Sequence, residues 1–142
     1  MARIDDGHST IVTFAEDGAI ALFEKEVTPP GVDGGGANPT TTMRNTVWRT
    51  NAPKKLKTLT DAALTVAYDP AVIDSIVAMC QINQLITVTY PDLSTLAFWG
   101  WLDTFTPNAN VEGEQPTAEV NIIPSNMNGS LVETAPVFTA AP

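Results

Sequence analysis

Hydrophobic and polar residues alternate with period two along much of this chain, as in strands buried on one face. Ser9 to Phe14 is rich in β-branched residues and predicts a first strand. Residues 16–18, Glu-Asp-Gly, predict a turn. Ala19 to Val27 then alternates, with Ile20 and Leu22 on one face and Ala21, Phe23 and Val27 on the other. Thr46 to Thr50 predicts a strand and Asn51-Ala52-Pro53 a break; Lys55 and Lys57 then alternate with Leu56, Thr58 and Leu59. Leu64, Val66 and Tyr68 alternate with Thr65 and Ala67. Leu85 to Tyr90 and Thr95 to Phe105 flank the turn Pro91-Asp92-Leu93-Ser94, so they predict a hairpin. Pro116 to Ile123 alternates, with Ala118, Val120 and Ile122 facing one way, and Pro124-Ser125-Asn126 ends it.

The period changes once, over Pro70 to Ile82. Asp69 is a good N-cap, Pro70 suits the first helical position, and Asp74 sits early, where a negative charge favours the helix dipole. Val72, Ile73, Ile76, Val77 and Cys80 recur at helical spacing, and Asn83 is a plausible left-handed stop. The expected fold is mainly β: a single domain, 1–142, with a β-sandwich or partial barrel of about seven to eight strands and one packed α-helix at about 70–82.

Two segments escape both periods. Residues 27–45, VTPPGVDGGGANPTTTMRN, hold three prolines, four glycines and four threonines, with no large apolar side chain between Val32 and Met43. Loops of this length without internal structure are functional or disordered. An extended assembly loop over 28–45 is one reading, and a solvated surface loop the other. Residues 127–142 have low periodicity and several Ala and Pro, which predicts a flexible tail that orders only against something else.

Charge sharpens the first reading. The net charge is −9, yet all seven basic residues lie at or before Lys57. Arg44, Arg49, Lys54, Lys55 and Lys57 form a block with no acid between Asp33 and Asp61. Beyond it the chain carries acids and no Lys or Arg. Such asymmetry accompanies nucleic-acid binding, but the overall sign opposes it, since duplex DNA would be repelled by most of the molecule. Complementary surfaces meeting in self-assembly fit equally well, as do solvated charges without a role. Hydrophobic content of 44% with 16% charged residues fits a globular chain with some surface covered by partners. No run of about 18 apolar residues predicts a membrane helix. Asp5 and Asp6 fall where a signal peptide needs apolar residues, so synthesis and retention in the cytosol are expected.

Catalytic chemistry finds little support. His8 is the only histidine, and Cys80, the only cysteine, falls on the apolar helix stripe. One His and one Cys exclude the usual zinc sites. Gly34-Gly35-Gly36 lacks the Gly-Lys-Ser/Thr of a phosphate loop. Glu112 and Glu114 sit in a polar loop, where two acids are ordinarily solvated. No catalytic, cofactor-binding or metal residue is therefore expected. Of the aromatics, Trp48 lies in the strand after the long loop; Trp99 and Trp101 share one strand face with Asp103, and Phe98 and Leu102 share the other. Burying one such ring removes roughly 150–250 Å² from water, about 4–6 kcal/mol before entropy. Core or subunit interface is the favoured role; a sugar-stacking platform on Trp99 and Trp101 is the alternative.

Several segments, in order from about residue 5 to 126, resemble the tail tube (major tail) proteins of long flexible-tailed bacteriophages. They are DDGHSTIVTF (5–14), FEKEVTPPGVDGG (23–35), TTTMRNTVWRT (40–50), PKKLKTLT (53–60), AYDP (67–70), NQLITVTYPDLSTLAFWGWLDTFTP (83–107) and EGEQPTAEVNIIPSN (112–126). The resemblance implies a β-sandwich subunit with one flanking helix. Six such subunits would close into a ring, and stacked rings would make a hollow tube through which DNA passes without specific binding. It further implies a virion component, assembled in the host cytoplasm, whose partners are itself and the tape-measure, tail-tip and terminator proteins, with no membrane and no cofactor. The long loop would reach a neighbouring subunit. The expected interface residues are Pro29, Pro30, Val32, Asp33, Gly35, Met43, Arg44, Arg49, Lys54, Lys55 and Lys57. Leu93 sits oddly, since a glycine would more easily take positive φ in that hairpin turn. Another particle component (baseplate, decoration or head–tail joining protein) and a carbohydrate-binding β-module are the competing functions.

Overall fold

The computed structural model describes residues 10–15, 23–68 and 70–142. His8, the turn at 16–18, the strand start at 19–22, the cap Asp69 and the Val72 side chain lie outside what is described. The strands are β1 (Ile11–Phe14), β2 (Glu24–Thr28), β3 (Val32–Asp33), β4 (Ala37–Pro39), β5 (Asn51–Pro53), β6 (Thr58–Leu59), β7 (Ala62–Ala67), β8 (Gln84–Thr89), β9 (Thr95–Pro107), β10 (Thr117–Pro124) and β11 (Val137–Thr139). A 3-10 turn, Pro70–Val72, leads into the helix α1 (Ile73–Met79). The protein is mainly β with one helix, and its strand pairs are antiparallel.

The main sheet runs β1-β8-β9-β10-β7-β2, with β11 paired to β9 beyond the end of β10. Its first and last strands approach each other, where the Val12 N–H donates to the Glu24 carboxylate at 3.2 Å. Six strands thus curl into a barrel whose β1–β2 seam is bridged by a side chain. The alternation read from the sequence sets the inside. Leu64 and Val66, Ile86 and Val88, and Ala118, Val120 and Ile122 are buried on β7, β8 and β10. Each of the Leu, Val and Ile side chains among them contributes roughly 1.5–3 kcal/mol when fully buried. Phe98 and Leu102 join them from β9.

A β-bulge re-phases β9. Leu102 pairs with Ile122 and Thr104 with Asn121, which leaves Asp103 without a counterpart on β10. Beyond it Phe105 faces inward, against the core and 5.9 Å from the Tyr68 ring. One extra residue therefore flips the side of every later one.

Five expectations are corrected. The helix ends at Met79, and the left-handed stop is Gln81 (φ 67) instead of Asn83. The Gln81 N–H bonds Leu102 O, and Cys80 bridges the same residue, so β9 dictates where the helix stops. The buried helix face is Ile76 and Met79, while Val77 is exposed. At about 100° per residue Val77 lies some 130° from the middle of that face. Residues 46–50 form no strand. Thr41 Oγ1 accepts from Thr50 N and Asn45 Nδ2 donates to Trp48 O, so side chains occupy the backbone groups a ladder would use. Asn51–Pro53, expected as a break, is instead β5 against β4, a two-strand ladder whose open edges tolerate proline. Phe23, expected on the same face as Val27, precedes β2 with φ 49 and is exposed.

Candidate assembly surfaces

Residues 31–60 leave the barrel as a structured arm. At its root Gly31 and Thr60 exchange bonds, the Gly31 N–H to Thr60 Oγ1 and the Thr60 N–H to Gly31 O, both 2.7 Å. The ladders β3–β6 and β4–β5 then carry it outward. Between them Asp33 accepts from the Gly35 N–H at 2.8 Å, and Gly35 (φ 82) lies over the Lys54 stem. At the tip the threonines brace the loop: the Thr40 and Thr50 hydroxyls bond at 2.9 Å. Asn45 takes the Thr42 N–H and hydroxyl on its oxygen and donates its amide to Trp48 O at 2.8 Å. Polar residues that build no core here order a projection through side-chain-to-backbone bonds.

What the arm presents is apolar and cationic together. Met43 is fully exposed, Val47 78%, Trp48 80% and Leu56 81% exposed. Val32 is exposed opposite Leu59, Asp33 and Gly35 are exposed, Pro29 is half-buried and Pro30 is buried. Arg44, Arg49, Lys54, Lys55 and Lys57 are all exposed, and none makes an ion pair among the described residues. The structure thus gathers Met43, Arg44, Trp48 and Arg49 at the tip and Lys55 and Lys57 at the root, while Pro30 belongs to the body. At the root an open cavity of about 280 Å³ separates Lys55, Leu56 and Lys57 from Asn126 and Glu133–Pro136. The C-terminal segment adds surface that sequence periodicity missed: Leu131, Val132, Val137 and Phe138 are exposed. Pairing partners for β11 lie some forty residues away in β9, so no local pattern marks it.

The outer face of β9-β10-β7-β2 is the chemical opposite. Glu26, Thr28, Thr65, Thr104, Thr106, Glu119 and Asn121 line an open hollow of about 340 Å³, with no Lys or Arg among them. Next to it Asn121 donates to Asp61 at 3.4 Å. Farther along β9, Trp99 and Trp101 lie half-buried on the outer face, and Phe98 is core. Ser125 and Asn126 both donate to Trp99 O, so the C-terminal excursion begins beside this tryptophan.

Reactive groups are few. Cys80 is half-buried, and its thiol is pushed up, first by burial and then by the Asp103 charge, which disfavours the nucleophilic thiolate. Glu112 and Glu114 are exposed on either side of Gly113. Among the described residues no three His, Cys, Asp or Glu side chains gather as a metal site, and no helix is long and apolar enough to cross a membrane.

A curled six-strand barrel with one helix and a projecting arm can be compared with known folds. It shares its fold with chains of phage-like tails. A chain of the native gene transfer agent virion superposes with a TM-score of 0.67 at 11% identity, covering 96% of this chain and 100% of its own. A chain of the empty gene transfer agent tail, refined with C6 symmetry, gives the same score, identity and coverage. A chain of the six-fold symmetrised anti-feeding prophage baseplate superposes with a TM-score of 0.69 at 8% identity, covering 99% of both. No protein-family model matches this sequence, and no curated protein matches it.

Proposed function

We propose that this chain is a non-enzymatic structural subunit of a phage tail tube, assembling with its own copies into stacked six-fold rings. The observation that carries this is end-to-end superposition on chains of a tail refined with C6 symmetry. The arm's cations, which make no ion pair among the described residues, and its exposed apolar tip support it, because both are surfaces left open to a partner. The residues Pro29, Val32, Asp33, Gly35, Met43, Arg44, Arg49, Lys54, Lys55 and Lys57 are the proposed interface, with residues 28–45 as assembly arm and 127–142 as a segment completed by neighbours. Trp48 belongs to the same surface.

The polar face of β9-β10-β7-β2 is the one suited to a DNA channel. Four strands from each of six subunits, at about 4.8 Å per strand and a tilt near 40°, close a circle roughly 45–50 Å across. Side chains would leave an opening of about 35–40 Å, wide enough for duplex DNA. Glu26 and Glu119 would repel phosphates, and threonines would solvate the wall, so DNA would slide without sticking. The tube would lie in the virion after assembly in host cytoplasm, meeting tape-measure, tail-tip and terminator proteins at its ends.

A baseplate ring is the second reading, favoured by the superposition on the anti-feeding prophage baseplate. Negative-stain microscopy of the purified protein separates the two: long tubes support the tube, closed rings the baseplate, and monomers at high concentration contradict both. Deleting Asp33 to Thr40 tests the arm, since a folded deletion variant that polymerises as well as the native chain removes its assembly role.

A further inference from the structure

Among the described residues, five non-glycines hold positive φ, and three of these, Phe23, Leu93 and Leu131, are also large, apolar and exposed. Leu93 is the most tightly specified. It sits in the β8–β9 turn with φ 70 and 65% of its surface exposed. A glycine there would avoid the Cβ clash of the left-handed region, and a polar residue would avoid wetting an isobutyl group. Leucine carries both costs, and with 65% of its surface exposed it recovers little of either by burial. The turn around it is rigid. Asp92 Oδ1 accepts from the Ser94 N–H at 3.0 Å and the Ser94 hydroxyl at 2.6 Å. Tyr90 bonds both Ser94 O and the Leu93 N–H at 2.9 Å. The result is a fixed apolar knob beside a carboxylate, on a turn that carries no cation.

The arm tip has the opposite relief and charge. Met43, Val47 and Trp48 edge an open hollow of about 280 Å³, with Asn45 and Arg49 in its wall and no carboxylate among its lining residues. Asn45 holds it in shape through its bonds to Thr42 and Trp48. Knob and hollow are both exposed in the single chain, so neither is filled by the other there.

We propose that Leu93 of one copy seats in the Met43–Val47–Trp48 hollow of the next copy, with Asp92 against Arg49. This deepens the reading of residues 28–45 as an assembly arm, and rests on it, by naming the surface the arm tip grips. Head-to-tail contacts need two different complementary patches on one subunit, and these two supply them. Closing the contact removes four exposed apolar side chains from water and desolvates one charge pair.

Two experiments on the full-length chain test it. Leu93→Gly relieves the backbone while deleting the knob. Its unfolding midpoint should rise while tube formation, followed by light scattering and negative stain, slows at least tenfold; Leu93→Met should restore assembly. Leu93→Gly chains that assemble at the native rate overturn the proposal. Next, Val47→Cys and Leu93→Cys chains, each also Cys80→Ser and differing in tag length, are mixed, assembled and oxidised. A disulfide-linked pair of unequal tags supports the contact. Tubes that form without that cross-link overturn the knob-and-hollow pairing while leaving self-assembly intact. If the native chain makes neither tubes nor rings, the pairing falls together with the assembly reading.

Discussion

The Val12 backbone N–H lies 3.2 Å from the Glu24 carboxylate, and through this bond a side chain bridges the gap between the first and last strands of the barrel. A backbone ladder would have satisfied this edge N–H without help. Glu24→Ala leaves the donor without its acceptor in a part-buried seam and should cost about 1–3 kcal/mol in urea unfolding. Glu24→Gln keeps an acceptor oxygen and should lose less than half as much. Equal losses for the two would assign the effect to something other than this bond.

Gly100 is a close-approach position. A Cβ there would stand 2.5 Å from Ile123 O and 3.0 Å from Pro124 Cα, both backbone atoms that cannot rotate away. Gly100→Ala should force β9 and β10 apart and cost about 1–3 kcal/mol. The faster amide exchange should concentrate in Ile122–Ser125.

The helix offers a paired contrast. Ile76 is buried and Val77, its neighbour, is 64% exposed. Ile76→Ala should destabilise by about 2–5 kcal/mol. Val77→Ala should change stability by no more than about 0.5 kcal/mol. Similar costs at the two positions would mean that the helix presents a different face to the barrel.

Asp92 ties stability to acid pH. Hydrogen bonds from the Ser94 hydroxyl and then the Ser94 N–H hold its carboxyl below the ordinary aspartate range. A depressed folded-state value stabilises the protein above the unfolded aspartate range, and this is lost as pH falls through the folded value. Ser94→Ala should therefore flatten the acid limb of a stability–pH curve measured between neutral pH and pH 3. An unchanged limb would detach Asp92 from the acid response.

The barrel interior was legible wherever a strand's own alternation coincides with its burial. Leu64 and Val66, Ile86 and Val88, and Ala118, Val120 and Ile122 needed only period two, because a strand with one wet face must send alternate side chains inward. The cationic block at 44–57 and its lack of acids were equally visible, since charge is a property of the chain before it folds. The arm as a candidate surface followed from the same composition.

Partners distant in sequence decided the rest. Asp103 drops out of register only because β10 pairs Leu102 with Ile122 and Thr104 with Asn121. β11 exists because β9 offers Thr95–Ala97 as a free edge. Thr46–Thr50 has the composition of a strand, yet Thr41 and Asn45 take its backbone groups from across the loop. Leu93 was marked as odd by its residue type, but its exposure, its rigid turn and the hollow that matches it became visible only in three dimensions. Local pattern determines which face of an element is apolar; which other segment meets that face is settled by the competition among all possible pairings, and that competition belongs to the folded chain as a whole.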